Sequence, residues 1–193
     1  MKQYDVVIGE QFGIMHGTGT LVFIKTGRGG TIEGSEKKYL ILCGKLAEKY
    51  GYAFVVSANP KDSACDLEEE IRLASEHVGE YEEICFVGVS NGAMVGAEQC
   101  WKIDKIKNAL LVNGPLTINW HRTSKGAERF KGKQMFFVYG DQDPSFRFFG
   151  LLDYIKNDAC KYKIIEGEGH RLSNDCFEKL LTDFLDERLQ KSK

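Results

Sequence analysis

Three residue types that cooperate in acyl transfer stand at turn-like positions of this chain: Ser90, Asp143 and His170. A free serine hydroxyl is a poor nucleophile at neutral pH, so it needs a base within hydrogen-bond reach. An imidazole base in turn needs a carboxylate to hold its ring and stabilise the imidazolium. The serine lies in Gly88-Val-Ser-Asn-Gly92, directly after an apolar run that begins at Ile84 and directly before helix-forming residues. A strand, a tight turn with serine at its tip and a helix beginning near Asn91 make the layout of a nucleophile elbow. The serine backbone takes a strained conformation there so that Oγ projects above the sheet edge, and glycine on either side avoids collision with neighbouring backbone. The helix aims its N-terminal amides at the same point, where they favour the negative oxygen of a tetrahedral intermediate.

The three side chains can meet only if the fold brings their turns to one edge. Short apolar runs predict strands over residues 4–8, 21–24, 52–56, 84–87, 109–112, 135–139 and 162–165. Between them lie helical patterns. Ser35 is placed to cap a helix whose apolar residues Tyr39, Cys43, Leu46 and Tyr50 share a face, closed by Gly51. Leu67, Ile71, Ala74 and Val78 line a second helix after Asn59-Pro60, and its run Glu68, Glu69 and Glu70 reads as a solvated face. A third helix runs from Asn91 through Trp101, a fourth covers residues 151–155, and Phe177, Leu180, Leu181, Phe184 and Leu185 stripe the last. Residues 1–19 suggest turns at glycines 9, 13, 17 and 19, and residues 114–133 give mixed signals. From residue 20 onward the alternation predicts one α/β domain: a mostly parallel, doubly wound sheet with helices on both faces, spanning residues 1–193. In such sheets chemistry gathers at the C-terminal strand ends. Asp143 and His170 follow the strands at 135–139 and 162–165, as Ser90 follows its own.

The order Ser, Asp, His, with the turns Gly88-Val-Ser-Asn-Gly92, Gly140-Asp-Gln-Asp143 and Gly167-Glu-Gly-His170, resembles the α/β-hydrolases over about residues 20–190. The resemblance implies a three-layer α/β/α sandwich with Ser90 as nucleophile, Asp143 as triad acid and His170 as general base. The family places its acid three residues after the glycine, which favours Asp143 over Asp141. Its oxyanion turn usually reads His-Gly-x-Gly after an early strand; here that place reads Thr26-Gly-Arg-Gly29, which implies oxyanion donors in the backbone N–H groups of Arg28 and Asn91. A second match, His16-Gly-Thr-Gly19, precedes its strand and ranks lower. The Arg28 side chain is a candidate contact for an anionic substrate group, and Trp120 a candidate pocket wall. About twenty residues separate Gly114 from Lys133, too few for a cap domain, so an open site suited to small or extended acyl substrates is expected.

Composition bounds the rest. With 193 residues, 42% hydrophobic and 28% charged, the chain suits one ordinary globular domain. A net charge of −2 argues against a nucleic-acid partner. The six cysteines are scattered without a C-x-x-C pair, as expected of thiols in a reducing cytoplasm. Neither a signal core nor a membrane span is seen, so no membrane partner is expected. The expected activity is that of a serine hydrolase, carboxylesterase-like with thioesterase and peptidase close behind, needing no metal or organic cofactor and acting on a small-molecule acyl substrate. Two rivals stand beside it. One is a non-catalytic ligand-binding or partner-binding protein on the same fold; the other is a nucleotide binder using residues 26–30, which lacks G-x-G-x-x-G spacing.

Overall fold

A computed structural model of the chain describes residues 3–62, 64–187 and 189. Its strands are β1 (Val6–Ile8), β2 (Phe12–Met15), β3 (Gly19–Lys25), β4 (Ala53–Ser57), β5 (Tyr81–Val89), β6 (Ile106–Val112), β7 (Gln134–Gly140) and β8 (Cys160–Ile165). They form one sheet in the order β1-β2-β4-β3-β5-β6-β7-β8. The β1–β2 and β2–β4 pairs are antiparallel, and every pair from β4 to β8 is parallel. Strand β5 therefore lies in the middle, and the elbow sits at its C-terminal end.

Parallel strands covered on both faces are apolar in both alternating sets, and the core divides accordingly. Leu21, Phe23, Phe86, Leu111 and Phe137 pack beneath α2 (Leu67–Val78), α3 (Asn91–Gln99) and α4 (Trp120–Arg129). Val22, Ile24, Val87, Leu110 and Val138 pack beneath α1 (Lys38–Tyr50) and α5 (Asn174–Leu185). At about 1.5–3 kcal/mol for each large side chain removed from water, two such layers support the fold without crosslinks. All six cysteines are unpaired, and burial raises the Cys43 and Cys100 thiols well above the ordinary range. No helix among the described residues is long and apolar enough to cross a membrane.

Several elements depart from the expectations. Strand β2 lies where turns were expected, because Gly13 gives up its side-chain space to the Tyr4 ring: a Cβ there would meet that ring at 2.5 Å. Helix α4 emerges from the mixed stretch because small residues let it approach α3; a Cβ on Gly126 would lie 2.1 Å from the Ala97 carbonyl oxygen. Ser35 makes no capping bond: it opens a 3₁₀ turn, and α1 starts only at Lys38 after two left-handed residues, Glu36 and Lys37. The helix expected at 151–155 is the tail of a 3₁₀ run, Pro144–Tyr154.

The acidic run on α2 needs the largest correction. Glu68 and Glu69 are exposed as expected, but Glu70 turns inward. Its carboxylate meets Lys25 Nζ at 2.7 and 2.8 Å and accepts from Ser57 Oγ at 2.7 Å. Lys25, at the end of β3, is 1% exposed and also donates to the Ala58 carbonyl at 2.7 Å. A buried ammonium without a counter-ion is untenable, so helix α2 must present one acid inward. Glu70→Gln is expected to cost about 3 kcal/mol in urea unfolding because it leaves that ammonium unpaired, whereas Glu68→Gln leaves the unfolding midpoint unchanged.

Candidate active site

Ser90 occupies the N-cap position of α3 with φ 54° and ψ −118°, a conformation that side-chain-bearing residues avoid. A serine that served only to cap the helix would bond its Oγ to a first-turn amide, and Ser90 Oγ makes no capping bond. Backbone contacts hold the turn in place: Ser90 N–H donates to the Val112 carbonyl at 2.8 Å, and the Ser90 carbonyl accepts from Ala93 and Met94. The flanking glycines are required by close approach. A Cβ on Gly88 would lie 2.5 Å from the Gly92 carbonyl oxygen, and one on Gly92 would lie 2.2 Å from that of Lys25.

Freed from capping, Ser90 Oγ lies 3.0 Å from His170 Nε2. On the far side of the ring, His170 Nδ1 lies 2.5 Å from Asp143 Oδ2. The Asp143 side chain is fully buried, while that of His170 is 46% exposed. An ionised carboxylate only accepts, so Nδ1 carries the proton toward Asp143 and Nε2 is left to accept from the serine hydroxyl. Asp143 is oriented by its second oxygen, which accepts from Ser145 N–H at 2.6 Å. Asp141, the competing acid, is exposed and accepts from Gly167 N–H at 2.9 Å. It ties down the histidine loop and does not face the ring.

The turn at residues 26–30 follows β3 and packs on the elbow: a Cβ on Gly27 would meet Ser90 Cβ at 3.2 Å. The amides of Thr26, Gly29 and Gly30 are bonded within the turn or to β4 and its extension. Those of Gly27, Arg28 and, on the adjoining elbow, Asn91 have no partner among the described residues. His16 lies at the opposite sheet edge, where Nε2 donates to the His77 carbonyl at 3.0 Å. Its distance from Ser90 follows from its place before β3.

Two asparagines brace these turns, and neither was singled out in the sequence. Asn59, the residue before Pro60, is buried. Its Nδ2 donates to the Thr26 carbonyl at 3.0 Å and to Asn91 Oδ1 at 2.9 Å, while its backbone exchanges hydrogen bonds with Gly29 and Gly30. Asn113, directly after β6, is fully buried with φ 51°. Its Nδ2 donates to the carbonyls of Gly169 and His170, both at 3.0 Å, and its Oδ1 accepts from Gly140 N–H at 2.9 Å. One side chain thus joins the acid turn to the histidine loop. Asparagine tolerates the left-handed region better than other side-chain-bearing residues, so Asn-Gly after a buried strand was the available signal.

Ser90 and His170 open into a cleft of about 510 Å³ walled by the 26–31 turn, the start of α1 and residues 171–172. Arg28 lines it, with Nε and Nη2 both donating to the Lys61 carbonyl at 3.1 and 2.9 Å. Trp120 is not among its lining residues; it borders a narrow crevice with Tyr139 and Phe148 and packs on the core. A further depression of about 640 Å³ near Lys156 and Tyr162 contains neither Ser90 nor His170.

No protein-family model matches the chain, and no curated protein matches it. Solved structures match it over nearly its full length. Est1E from Butyrivibrio proteoclasticus superposes with a TM-score of 0.71 at 14% identity, covering 96% of this chain and 98% of that one. A putative alpha/beta hydrolase, ATU1826 from Agrobacterium tumefaciens, gives 0.70 at 13% identity over 94% and 95%. The esterase domain of a Rhodothermus marinus protein gives 0.67 at 10% identity over 88% and 85%. At such identities the likeness is one of fold. The chain has the α/β-hydrolase fold, with no cap domain among its described residues.

Proposed function

We propose that the protein is a serine hydrolase that cleaves an ester or related acyl bond of a small substrate. The observation that carries this reading is the continuous contact from Ser90 Oγ through the His170 ring to Asp143, at 3.0 and 2.5 Å, at the mouth of an open cleft. His170 Nε2 takes the hydroxyl proton as Ser90 Oγ bonds to the carbonyl carbon, and the carbonyl oxygen becomes an oxyanion. The amides of Arg28 and Asn91 hold that oxygen; that neither has a partner among the described residues supports this role. Collapse of the intermediate breaks the bond to the alcohol, which leaves with the proton from His170. Water, deprotonated by the same nitrogen, then attacks the acyl-serine; the second intermediate expels Ser90 Oγ, which regains its proton and releases the acid. Asp143 stays ionised throughout and stabilises the imidazolium.

A carboxylesterase is the form preferred here, and the esterase domain among the structures of the same fold favours it. The unpaired thiols suit a cytoplasmic setting. A protein that merely bound a ligand on this frame would have no use for a serine hydroxyl aligned on a carboxylate-held imidazole.

Turnover of para-nitrophenyl esters tests the assignment. Ser90→Ala is expected to abolish it, and Asp143→Asn to lower kcat by several orders of magnitude, on the order of 10⁴-fold in a serine protease with the same triad. Asp141→Asn, which leaves the imidazole contact intact, retains most of the activity. Asn113 is assigned a positioning role. Asn113→Gly keeps the left-handed backbone but deletes all three side-chain bonds, so kcat is expected to fall on the order of 10–100-fold with KM little changed, as steady-state kinetics on the folded variant would show.

A further inference from the structure

The cleft in front of Ser90 is electrically one-sided. Arg28, Lys38 and Arg171 line it and no Asp or Glu does, although the chain carries 28 acidic residues against 26 basic. The three cations come from three segments: the oxyanion turn, the start of α1 and the residue after His170. None forms an ion pair among the described residues. An ordinary solvated face of this molecule looks different: on α2, Arg72 is held between Glu69 and Glu76.

Lys38 and Arg171 also have a specific relation to each other. The Lys38 ammonium lies 5.0 Å from the centre of the Tyr39 ring and 5.6 Å from that of Phe177, contacts that hold it against the cleft wall. Burial, and after it the neighbouring Arg171 guanidinium, lower the Lys38 ammonium below its ordinary range. Two like charges lining one cleft with no carboxylate among its lining residues are mutually unfavourable, and an anion seated against both reverses the sign of that interaction. A guanidinium presents paired N–H groups that match a carboxylate. Arg28 spends Nε and Nη2 on the Lys61 carbonyl, which leaves Nη1 without a partner among the described residues.

We propose that Lys38 and Arg171, with Arg28 at the rim, form a carboxylate-binding subsite beside Ser90. The hydrolase then prefers esters that carry a carboxylate on the acyl or the alcohol half: a monoester of a dicarboxylic acid, or an ester of a hydroxy acid. This inference rests on the hydrolase reading.

Two matched ester pairs test it. In the first, para-nitrophenyl hydrogen adipate is compared with its methyl-capped form, so that the charge is on the acyl half. In the second, para-butyryloxybenzoate is compared with its methyl ester, so that the charge is on the alcohol half. In one pair the anionic member is expected to be preferred by about tenfold or more in kcat/KM, and the pair that responds identifies the half recognised. That ratio is expected to fall toward one in the Lys38→Met, Arg171→Gln double variant and to be kept in Lys38→Arg. A ratio at or below one in both pairs, or one that the double variant leaves unchanged, would overturn the subsite, while Ser90-dependent turnover of the neutral esters would leave the hydrolase reading standing. If no ester is turned over, the hydrolase reading fails, and calorimetric titration of the wild-type protein with adipate decides the subsite. Binding that is lost in the double variant supports it, and absence of binding refutes it.

Discussion

The site depends on one strained residue. Ser90 sits at φ 54° between the end of β5 and the start of α3, in a region that costs a residue of its kind on the order of 1–3 kcal/mol. The sheet over-determines that position. Val112 on the neighbouring strand holds the serine amide, the first turn of α3 holds its carbonyl, and the Cα of Gly92 is pressed against the backbone of Lys25 and Thr26. The last contact couples Ser90 to the 26–30 turn, since Thr26, one of the residues that close on Gly92, begins that turn. A side chain at Gly92 would push the two apart.

What keeps the surrounding turns in register is a set of buried polar groups at strand ends, each with its partners found. Lys25, Glu70 and Ser57 form one cluster beside the 26–30 turn, Asn59 clamps that turn to Asn91, and Asn113 ties the turn at Gly140 to the loop that carries His170. In a low-dielectric interior an unmet donor or acceptor is expensive, so such groups specify one arrangement of the loops more sharply than apolar packing does. The histidine itself is half exposed, and its orientation comes from these supports and from Asp143.

The sheet was legible in the sequence because parallel strands covered on both faces read as apolar runs, and β3 through β7 lie where those runs are; β8, the half-buried edge strand, alternates lysine with apolar residues and was read from Tyr162, Ile164 and Ile165. The elbow, the acid turn and the histidine loop were legible because turns need Gly, Asp and Ser. Less visible were elements defined by the absence of side chains, such as β2 around Gly13 and α4 around Gly126, where close approach to a distant residue is the cause. The inward turn of Glu70 was hidden for a related reason. Periodicity identifies the apolar face of α2, but only the burial of Lys25, far away in the chain, determines which acid must point in. Asn59 and Asn113 looked like turn residues, and they are; their partners lie across the fold. The charge of the cleft was half legible, since Arg28 stood out in the turn while Lys38 and Arg171 join it only in three dimensions.

In the mechanism proposed above, Ser90 carries the acyl group. This is tested most directly by quenching the protein in acid during turnover of a para-nitrophenyl ester and mapping the adduct by peptide mass spectrometry. An acyl mass is expected on the peptide containing Ser90 and is expected to be absent from Ser90→Ala. Turnover with an acyl group on one of the six cysteines, or turnover that persists in Ser90→Ala, would contradict it.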